Sequence, residues 1–401
     1  MTRTALRAAR LFDGVTTHVD PLVLVEDGRI TEVRTGPAPA EVEVVDLGEA
    51  TLLPGLIDTH VHLAFDAGLD PVSALAARDD DAVLESMAQA AAAQLRAGVT
   101  TVRDLGDRRY RTLAARALPG LPRVVAAGPP VTVPDGHCHY LGGAASGVDG
   151  MRRAVADHAE RGVDVIKVMA SGGMLTPGSD SFGVQFSEDE LRAAVEAAHE
   201  AGLQVLAHAH SLAGVRHALA ARVDGIEHFT GLTDEGLRMP DDVLEQVAAA
   251  DVQVCPTLGA DPDRFPPPDK LAPGLRATFE RLGLDFPTFR ATRIEHVARM
   301  RAHGLRLVSG TDAGISPPKA HGGVSFAVLD LVDAGYPVTE ALATATSGAA
   351  ASCGLADVSG ALRPGLAADL LAVAGDLAAD PGALHRPVAV WVRGSLPTLS
   401  A

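Results

Sequence analysis

The sequence has 401 residues, and its hydrophobic content of 47% with only 3% aromatic residues predicts a large core of Ala, Val and Leu. It has 34 Lys and Arg residues against 51 Asp and Glu residues, a formal net charge of −17. This balance argues against nucleic acid or an anionic membrane surface as the main partner, although it selects no substrate. The length suits two or three ordinary domains, or a barrel that absorbs most of the chain.

The three cysteines, Cys138, Cys255 and Cys353, are too few and too far apart for a disulfide framework or a CxxC zinc site. The N-terminal sequence MTRTALRAAR lacks the apolar core of a signal peptide. We also find no apolar run of about 18 residues, the length that a membrane span needs. We therefore expect a cytoplasmic protein with a small-molecule substrate and no membrane partner. A homo-oligomer is left open.

Short strands and turns are predicted at both ends of the chain. The Asp-Gly pairs Asp13–Gly14 and Asp27–Gly28 are typical of hairpin turns. The segments GLAADLLAV and VAVWVRG near the other end also read as strands. The simplest interpretation is one small sheet domain that both ends of the chain build together.

The middle of the chain repeats one pattern, in which a helix ends at a glycine and a short apolar strand follows. The glycines are Gly98, Gly162, Gly202 and Gly304, and Arg222 stands where a fifth would be expected. This alternation over roughly 300 residues predicts a parallel sheet, and at that size a (β/α)₈ barrel is favoured over a doubly wound sheet. The sequence lacks the GxGxxG motif of a dinucleotide-binding fold.

Polar residues stand at the ends of the predicted strands, where a barrel places its catalytic groups. His60 and His62 lie one residue apart, so strand alternation puts them on the same face. Neutral imidazole and carboxylate are suitable zinc ligands, so a metal site is predicted at this end of the barrel. Histidines on predicted helices, such as His158 and His296, are expected to face solvent instead. The residues at the strand ends are His60, His62, Arg103, Asp104, Lys167, His208, His210, His228 and Asp312.

Lys167 interrupts an apolar strand in a chain that otherwise has lysine only at Lys270 and Lys319. One interpretation is an ion pair with a buried carboxylate such as Asp312. The other follows from the lowered pKa of a buried lysine, which leaves a neutral, nucleophilic amine. Such an amine can take up CO₂ as a carbamate, whose two oxygens can bridge two metal ions.

These motifs together resemble the amidohydrolase superfamily over nearly the whole chain. The matching residues are His60, His62, Lys167, His208, His228 and Asp312. The flanking segments TLLPGLID and RPGLAADLLAV fit as well. Within the superfamily, the segments GHCHYLGG and VIKVMASGGMLTPG are similar to the imidazolonepropionase-related, prolidase-like branch, which includes metal-dependent dipeptidases.

The resemblance implies a β-sandwich of residues 1–52 and 358–401 beside a barrel of residues 53–357. It further implies two divalent metal ions, with zinc as the expected metal. His60 and His62 would bind the buried metal, His208 and His228 the exposed one, and a carbamate on Lys167 would bridge them. Asp312 would bind the buried metal and serve as acid and base, while a bridging hydroxide attacks the substrate carbonyl.

Loop residues are expected to determine substrate specificity. His137, His139 and Tyr140 follow the third strand, and His210 follows His208 on the fifth. We expect one of them to hold a substrate carboxylate or the developing oxyanion, and His137 and His210 are the preferred candidates.

Three functions remain open at this point. The first is hydrolysis of an amide in a peptide-like or N-acyl-amino-acid substrate. The second is hydrolysis of a lactone, carbamate, cyclic amide or organophosphate at the same metal site. The third is a non-catalytic scaffold, against which the complete set of ligands argues.

Overall fold

Strands from both ends of the chain form two sheets that share one hydrophobic core. The structure, a computed structural model, describes residues 3–396, so the outermost residues of the predicted terminal domain lie outside the described part. The strands are β1 (Arg3–Arg7), β2 (Arg10–Phe12), β3 (Thr17–Val19), β4 (Pro21–Glu26), β5 (Arg29–Thr35), β6 (Glu43–Asp46), β7 (Thr51–Pro54), β16 (Leu370–Val373) and β17 (Pro387–Trp391). Their orders are β5-β4-β1-β6 and β17-β16-β7-β2-β3.

The two predicted Asp-Gly turns connect antiparallel strands of these sheets. Asp13–Gly14 lies between β2 and β3, and Asp27–Gly28 lies between β4 and β5. Both residues of the second turn have a positive φ, 49° and 79°. A Cβ atom on Gly28 would lie 2.6 Å from the carbonyl oxygen of Arg393, so this turn also packs closely against the other end of the chain.

The middle of the chain contains two parallel sheets. Their strands are β8 (Leu56–Val61), β9 (Val99–Asp104), β10 (Arg123–Ala126), β11 (Val165–Met169), β12 (Gln204–Ser211), β13 (Gly225–Thr233), β14 (Gly236–Leu237) and β15 (Gln253–Cys255). One sheet has the order β10-β9-β8; the other has the order β11-β12-β13, with β15 parallel and the short β14 antiparallel to β13. A mixed α/β fold with parallel sheets is therefore confirmed, whereas a closed barrel is not seen as one continuous ladder.

The segment 305–313, predicted to contain the last strand, forms only isolated bridges. Leu307 pairs with Val254 on β15, and Ala313 pairs with Val61 on β8. The backbone N–H of Val308 donates to the Val254 carbonyl at 3.0 Å. This segment thus lies between the two parallel sheets and delivers Asp312 to their carboxyl ends.

Twelve α-helices connect the described strands. They are α1 (Pro71–Ala76), α2 (Asp80–Arg96), α3 (Arg111–Ala115), α4 (Gly147–Arg161), α5 (Glu188–Glu200), α6 (Leu212–Ala220), α7 (Asp241–Ala249), α8 (Pro273–Leu282), α9 (Phe286–Ala302), α10 (Val324–Asp333), α11 (Val338–Thr344) and α12 (Ser347–Ser352). Within residues 3–396, none of these helices combines the length and the hydropathy of a membrane span.

The glycines that were expected to end helices adopt the left-handed conformation. The φ angles of Gly98, Gly162, Gly202 and Gly304 are 88°, 80°, 72° and 72°. Arg222, at the fifth such position, has a φ of 62°. The position therefore demands the conformation even where the sequence does not supply glycine, because the chain must reverse there from helix to strand.

Two helix histidines are buried, contrary to the prediction that they face solvent. His158 is 3% exposed and His296 is 6% exposed. The Nε2 atom of His158 lies 2.7 Å from the carbonyl oxygen of Pro129. This contact connects α4 to the segment after β10. Helical periodicity alone does not distinguish such a buried structural histidine from one at a polar surface position.

Replacement of Gly202 by alanine should destabilise the protein by about 1 kcal/mol, because an L-residue is strained at this φ. No atom lies within 4 Å of the added Cβ, so the cost is one of backbone conformation alone. Gly150, inside α4, provides the matched control. There Gly150→Ala should stabilise by roughly 0.5–1 kcal/mol. Denaturant melts of both variants measure the difference, and equal effects of the two would contradict this account.

Candidate metal centre and active-site cavity

The predicted site residues gather around one cavity at the carboxyl ends of the parallel strands. His60 lies on β8, Lys167 on β11, and His208 and His210 on β12. His228 lies on β13. The cavity lining includes every predicted metal ligand and catalytic residue: His60, His62, His137, Lys167, His208, His210, His228 and Asp312.

His60, His62 and Asp312 form the first cluster of possible ligands. The Nε2 atoms of His60 and His62 lie 3.4 Å and 3.1 Å from the same Asp312 oxygen, Oδ1. Burial alone would raise the pKa of the Asp312 carboxyl, but the two imidazoles outweigh it and hold that pKa below its ordinary value. Asp312 is therefore an ionised carboxylate at neutral pH, suited to bind a cation or accept a proton.

Two of the candidate ligands stand on strained backbone. Asp312 has a φ of 64° and His228 a φ of 72°, both in the left-handed region that non-glycine residues rarely adopt. The Asp312 N–H donates to the carbonyl of His60 at 2.7 Å. The carbonyl of His228 accepts a hydrogen bond of 2.6 Å from Arg293. Such strain persists where surrounding contacts hold it, and it is concentrated at functional sites.

His208, His210 and His228 form the second cluster. One ring nitrogen of each lies within 4.8 Å of the others, and His228 is also grouped in this way with His60 and Asp312. The two clusters thus meet at His228. His210, expected to contact substrate, lies as well placed for a metal as its neighbours.

Burial keeps these imidazoles neutral. It lowers the pKa of His208 and His228 well below the ordinary value, and neighbouring histidines and Lys167 lower it further. Burial, with the adjacent His137, also lowers the pKa of His210 to about 3. A neutral imidazole has a free lone pair, so the second cluster has the protonation state that metal binding requires.

Lys167 is a buried amine without a partner. Its side chain is 1% exposed, and its Nζ atom has no hydrogen bond to any described residue. Burial lowers its pKa, although Glu227 and Asp312 oppose the effect. The described ion pairs include none between Lys167 and a carboxylate, which disfavours the simple ion pair with Asp312. An unsatisfied amine of this kind is costly, and the cost is relieved if it carries a group that binds metal.

Glu227 is a functional residue that the sequence interpretation missed. Its Oε2 accepts a 2.7 Å hydrogen bond from His60 Nδ1, and its Oε1 lies 3.6 Å from Arg103. Burial would raise its pKa, but the nearby His60 and Arg103 help to lower it to about 2. The bond turns the other nitrogen of His60, Nε2, towards Asp312. The available signal was a carboxylate inside an apolar strand, directly before His228.

Arg103 and Asp104, which also stand at a strand end, do not line the cavity. Arg103 Nε donates to the Thr59 carbonyl at 2.8 Å, so its side chain runs beneath β8. Asp104 accepts the N–H of Leu63 at 2.8 Å. Both side chains point away from the opening. Their hydrogen bonds to Thr59 and Leu63 support the backbone on either side of the His60–His62 pair.

The loop after β10 contributes His137 but not its neighbours. His137 Nδ1 lies 2.9 Å from the Thr176 hydroxyl, and its ring centroid lies 4.7 Å from that of His208. His139 instead bonds to its own loop, with Nδ1 2.9 Å from the Gly136 carbonyl. His139 and Tyr140 are absent from the cavity lining, so of the loop candidates the structure places His137 and His210 there.

The cavity cysteine does not provide a nucleophile. Burial raises the pKa of Cys138 to about 12, and that of Cys255, behind His60, well above its ordinary value. Both thiols stay protonated at neutral pH, and a thiol is a far weaker nucleophile than a thiolate.

Replacement of Glu227 by glutamine should weaken divalent-metal binding by about 10- to 100-fold, because His60 loses the carboxylate that orients it. A competition titration with a chromophoric chelator measures the affinity. Glu245→Gln, at an exposed position of α7, is the control and should leave the affinity unchanged. Equal affinities for the two variants would show that Glu227 does not orient His60.

Comparison with known proteins identifies relatives along the full chain. The model of the Amidohydrolase family matches residues 51–396. An uncharacterized protein of Mycobacterium tuberculosis is 30% identical over 388 residues, which cover 92% of this chain and 90% of that protein. The imidazolonepropionase of Pseudomonas putida is 26% identical over 435 residues, covering 97% and 94%.

A solved structure shares the architecture. A Xaa-Pro dipeptidase with bound methionine in its active site superposes with a TM-score of 0.87 and 26% identity, covering 98% of this chain and 99% of that chain. The match to the family model spans both the parallel sheets and the site residues. This chain belongs to the amidohydrolase family and is an enzyme.

Proposed function

We propose that this protein is a metal-dependent hydrolase that cleaves an amide bond of a small peptide-like or N-acylated substrate. The observation that carries the proposal is the convergence of neutral imidazoles, one ionised carboxylate and one buried, unpartnered amine around a single cavity. The names of two relatives, imidazolonepropionase and Xaa-Pro dipeptidase, support chemistry at carbon–nitrogen bonds.

We also propose that the two parallel sheets are parts of one (β/α)₈ barrel of residues 53–357. Three isolated parallel bridges link the pieces, at Val61–Ala313, Val131–Val168 and Val254–Leu307. The two terminal sheets would form the β-sandwich of residues 1–52 and 358–401. This arrangement accounts for the meeting of all strand ends at one cavity.

The donor set suits two divalent ions. His60, His62 and Asp312 would hold one ion, and His208 and His228 the other. Lys167, converted to a carbamate, would supply the oxygens that both ions share. Zinc accepts nitrogen and carboxylate-like oxygen ligands of this kind. When bound, such ions activate water as a nucleophile and polarise a carbonyl oxygen.

Asp312 has the properties of the proton carrier in this reaction. Because its pKa is held below the ordinary value, Asp312 is ionised at neutral pH and can accept the proton of the attacking water, and it lines the cavity beside both histidines. It would then donate that proton to the nitrogen of the leaving amine. Neither the Cys138 thiol nor the Cys255 thiol is required.

His137 and His210 would hold the substrate. Each ring has its Nδ1 next to a threonine hydroxyl, Thr176 at 2.9 Å and Thr230 at 2.8 Å. These contacts fix the rings and leave Nε2 for a substrate oxygen or a metal. If Nε2 faces a substrate oxygen and carries the proton, its N–H would stabilise the developing negative charge on the carbonyl oxygen.

Replacement of Lys167 by arginine should reduce the metal content from about two ions per chain to one or none. Arginine keeps the positive charge but forms no carbamate at neutral pH. Elemental analysis of the purified proteins gives the result. Lys270→Arg, in an exposed turn, is the control. Retention of two ions by Lys167→Arg would refute the bridge.

A second variant tests the same role by rescue. Short carboxylic acids should partly restore activity to Lys167→Ala, because they supply the missing bridging oxygens.

Replacement of Asp312 by asparagine should lower kcat by about 10² or more, because the amide cannot accept the proton. The assay uses whichever amide is turned over in a product-detected screen of dipeptides and acyl-amino acids. Metal content is measured in parallel, so that loss of an ion is separated from loss of the base. Asp263→Asn, on an exposed turn, is the control, and wild-type turnover by Asp312→Asn would exclude the assigned role.

A further inference from the structure

Phenylalanine is concentrated on one wall of the cavity. The chain has ten phenylalanines in all and only 3% aromatic residues. Half of the phenylalanines line this one cavity: Phe65, Phe265, Phe279, Phe286 and Phe289. Such a concentration in an aromatic-poor protein is not explained by general core packing.

Four of these rings come from one stretch, residues 265–289, and we call them the phenylalanine wall: Phe265, Phe279, Phe286 and Phe289. Phe265 and Phe286 stack with centroids 3.7 Å apart and planes 18° apart. Phe279 lies 5.4 Å from Phe289. Phe279 is buried, whereas the other three are half-buried, so they present apolar surface to the cavity. The Pro-rich stretch 261–270 delivers Phe265 to this wall.

A second apolar segment lines this half of the cavity next to the phenylalanine wall. Met174 and Leu175, in the loop after β11, belong to the lining. The loop packs tightly against α8, since a Cβ atom on Gly274 would lie 2.3 Å from the Met174 carbonyl oxygen. Ser181 and Thr278 add a hydroxyl contact of 3.3 Å across the same junction. The phenylalanine wall and this loop therefore enclose an apolar recess beside the imidazoles.

The cationic side chains around the recess are already engaged with protein groups. Arg290 pairs with the carboxylates of Asp330 and Asp333. Arg293 donates to three backbone carbonyls at 2.6–2.8 Å. Lys319 donates to two carbonyls at 2.7 Å and 3.0 Å. Apolar contact, rather than pairing with a substrate carboxylate, is thus the interaction that this half of the cavity offers most readily.

We propose that the substrate carries a ring-sized apolar group that enters this recess, while its scissile amide lies at the imidazoles. The proposal rests on the proposed amide hydrolysis and specifies its substrate class. A ring of this size removes enough apolar surface from water to favour binding by roughly 10- to 100-fold over a methyl group.

Two kinds of measurement on the metal-loaded enzyme test this. The first measurement compares kcat/KM within pairs of amides that differ in a phenyl ring. N-(3-phenylpropanoyl)glycinamide and N-acetylglycinamide differ on the acyl side, and N-acetyl-2-phenylethylamine and N-acetylethylamine differ on the amine side. The free-acid forms of the first pair test the effect of a terminal carboxylate. The second measures by calorimetry the affinities of 3-phenylpropanamide and propanamide, which needs no turnover. The ring should raise kcat/KM by at least about tenfold in at least one pair, and it should raise the affinity measured by calorimetry by the same factor. A terminal carboxylate should change kcat/KM little.

Variants assign the effect to the wall. Phe289→Ala should reduce the ratio between ring-bearing and methyl compounds by about threefold to tenfold. Phe326→Ala is the matched control, since Phe326 is also half-buried on a helix but lies against His385, outside the cavity. This variant should keep the wild-type ratio.

The outcomes separate the two proposals. Turnover without a ring preference, or a ratio that Phe289→Ala and Phe326→Ala change equally, overturns the apolar recess and leaves amide hydrolysis standing. The apolar recess is also overturned if a terminal carboxylate raises kcat/KM more than the ring does. A tenfold ring preference in calorimetry without turnover of any amide supports the recess as a ligand site and refutes the proposed function.

Discussion

A buried chain of polar contacts from Arg103 through Glu227 and His60 to Asp312 underlies the whole site. Glu227 bonds to His60 at 2.7 Å and lies 3.6 Å from Arg103, while His60 Nε2 lies 3.4 Å from Asp312. Because Arg103, Glu227 and His60 are buried, each depends on its charged or hydrogen-bonding neighbour for stability, and Asp312 ends this series of contacts at the cavity. The chain sets which nitrogen of His60 faces the cavity. The other candidate ligands can bind an ion together with His60 only if that nitrogen faces them.

The two halves of the cavity are joined through one helix. α9 begins at Phe286 and carries Phe289 on the apolar side, and Arg293 one turn later. The Arg293 guanidinium holds the carbonyl of His228, whose own φ is 72°. A change in the position of α9 would therefore move both the phenylalanine wall and a candidate metal ligand. If the wall selects substrate and His228 binds a metal, this contact would couple the two roles.

The family relationship and the substrate are determined by different parts of the molecule. Relatives in the amidohydrolase family bear the names of enzymes as different as imidazolonepropionase and ochratoxinase. The imidazoles at the strand ends provide chemistry that such a family can share, whereas loops and added helices shape the surroundings. In this protein the stretch 265–289 supplies four of the phenylalanines that line the cavity. A fold can keep its catalytic residues while the walls of its cavity vary.

The sequence alone determined the family, the parallel α/β character, and the ligand candidates such as His60, Lys167 and Asp312, because strand alternation and motif spacing are local properties. It also located the left-handed helix ends at Gly98, Gly162, Gly202 and Gly304, whereas the one at Arg222 emerged from the structure. Only the tertiary structure decided which polar residues face the cavity. It turned Arg103 away, placed Glu227 behind His60, and stacked Phe265 on Phe286. These choices depend on contacts between different segments of the folded chain, which no local pattern records.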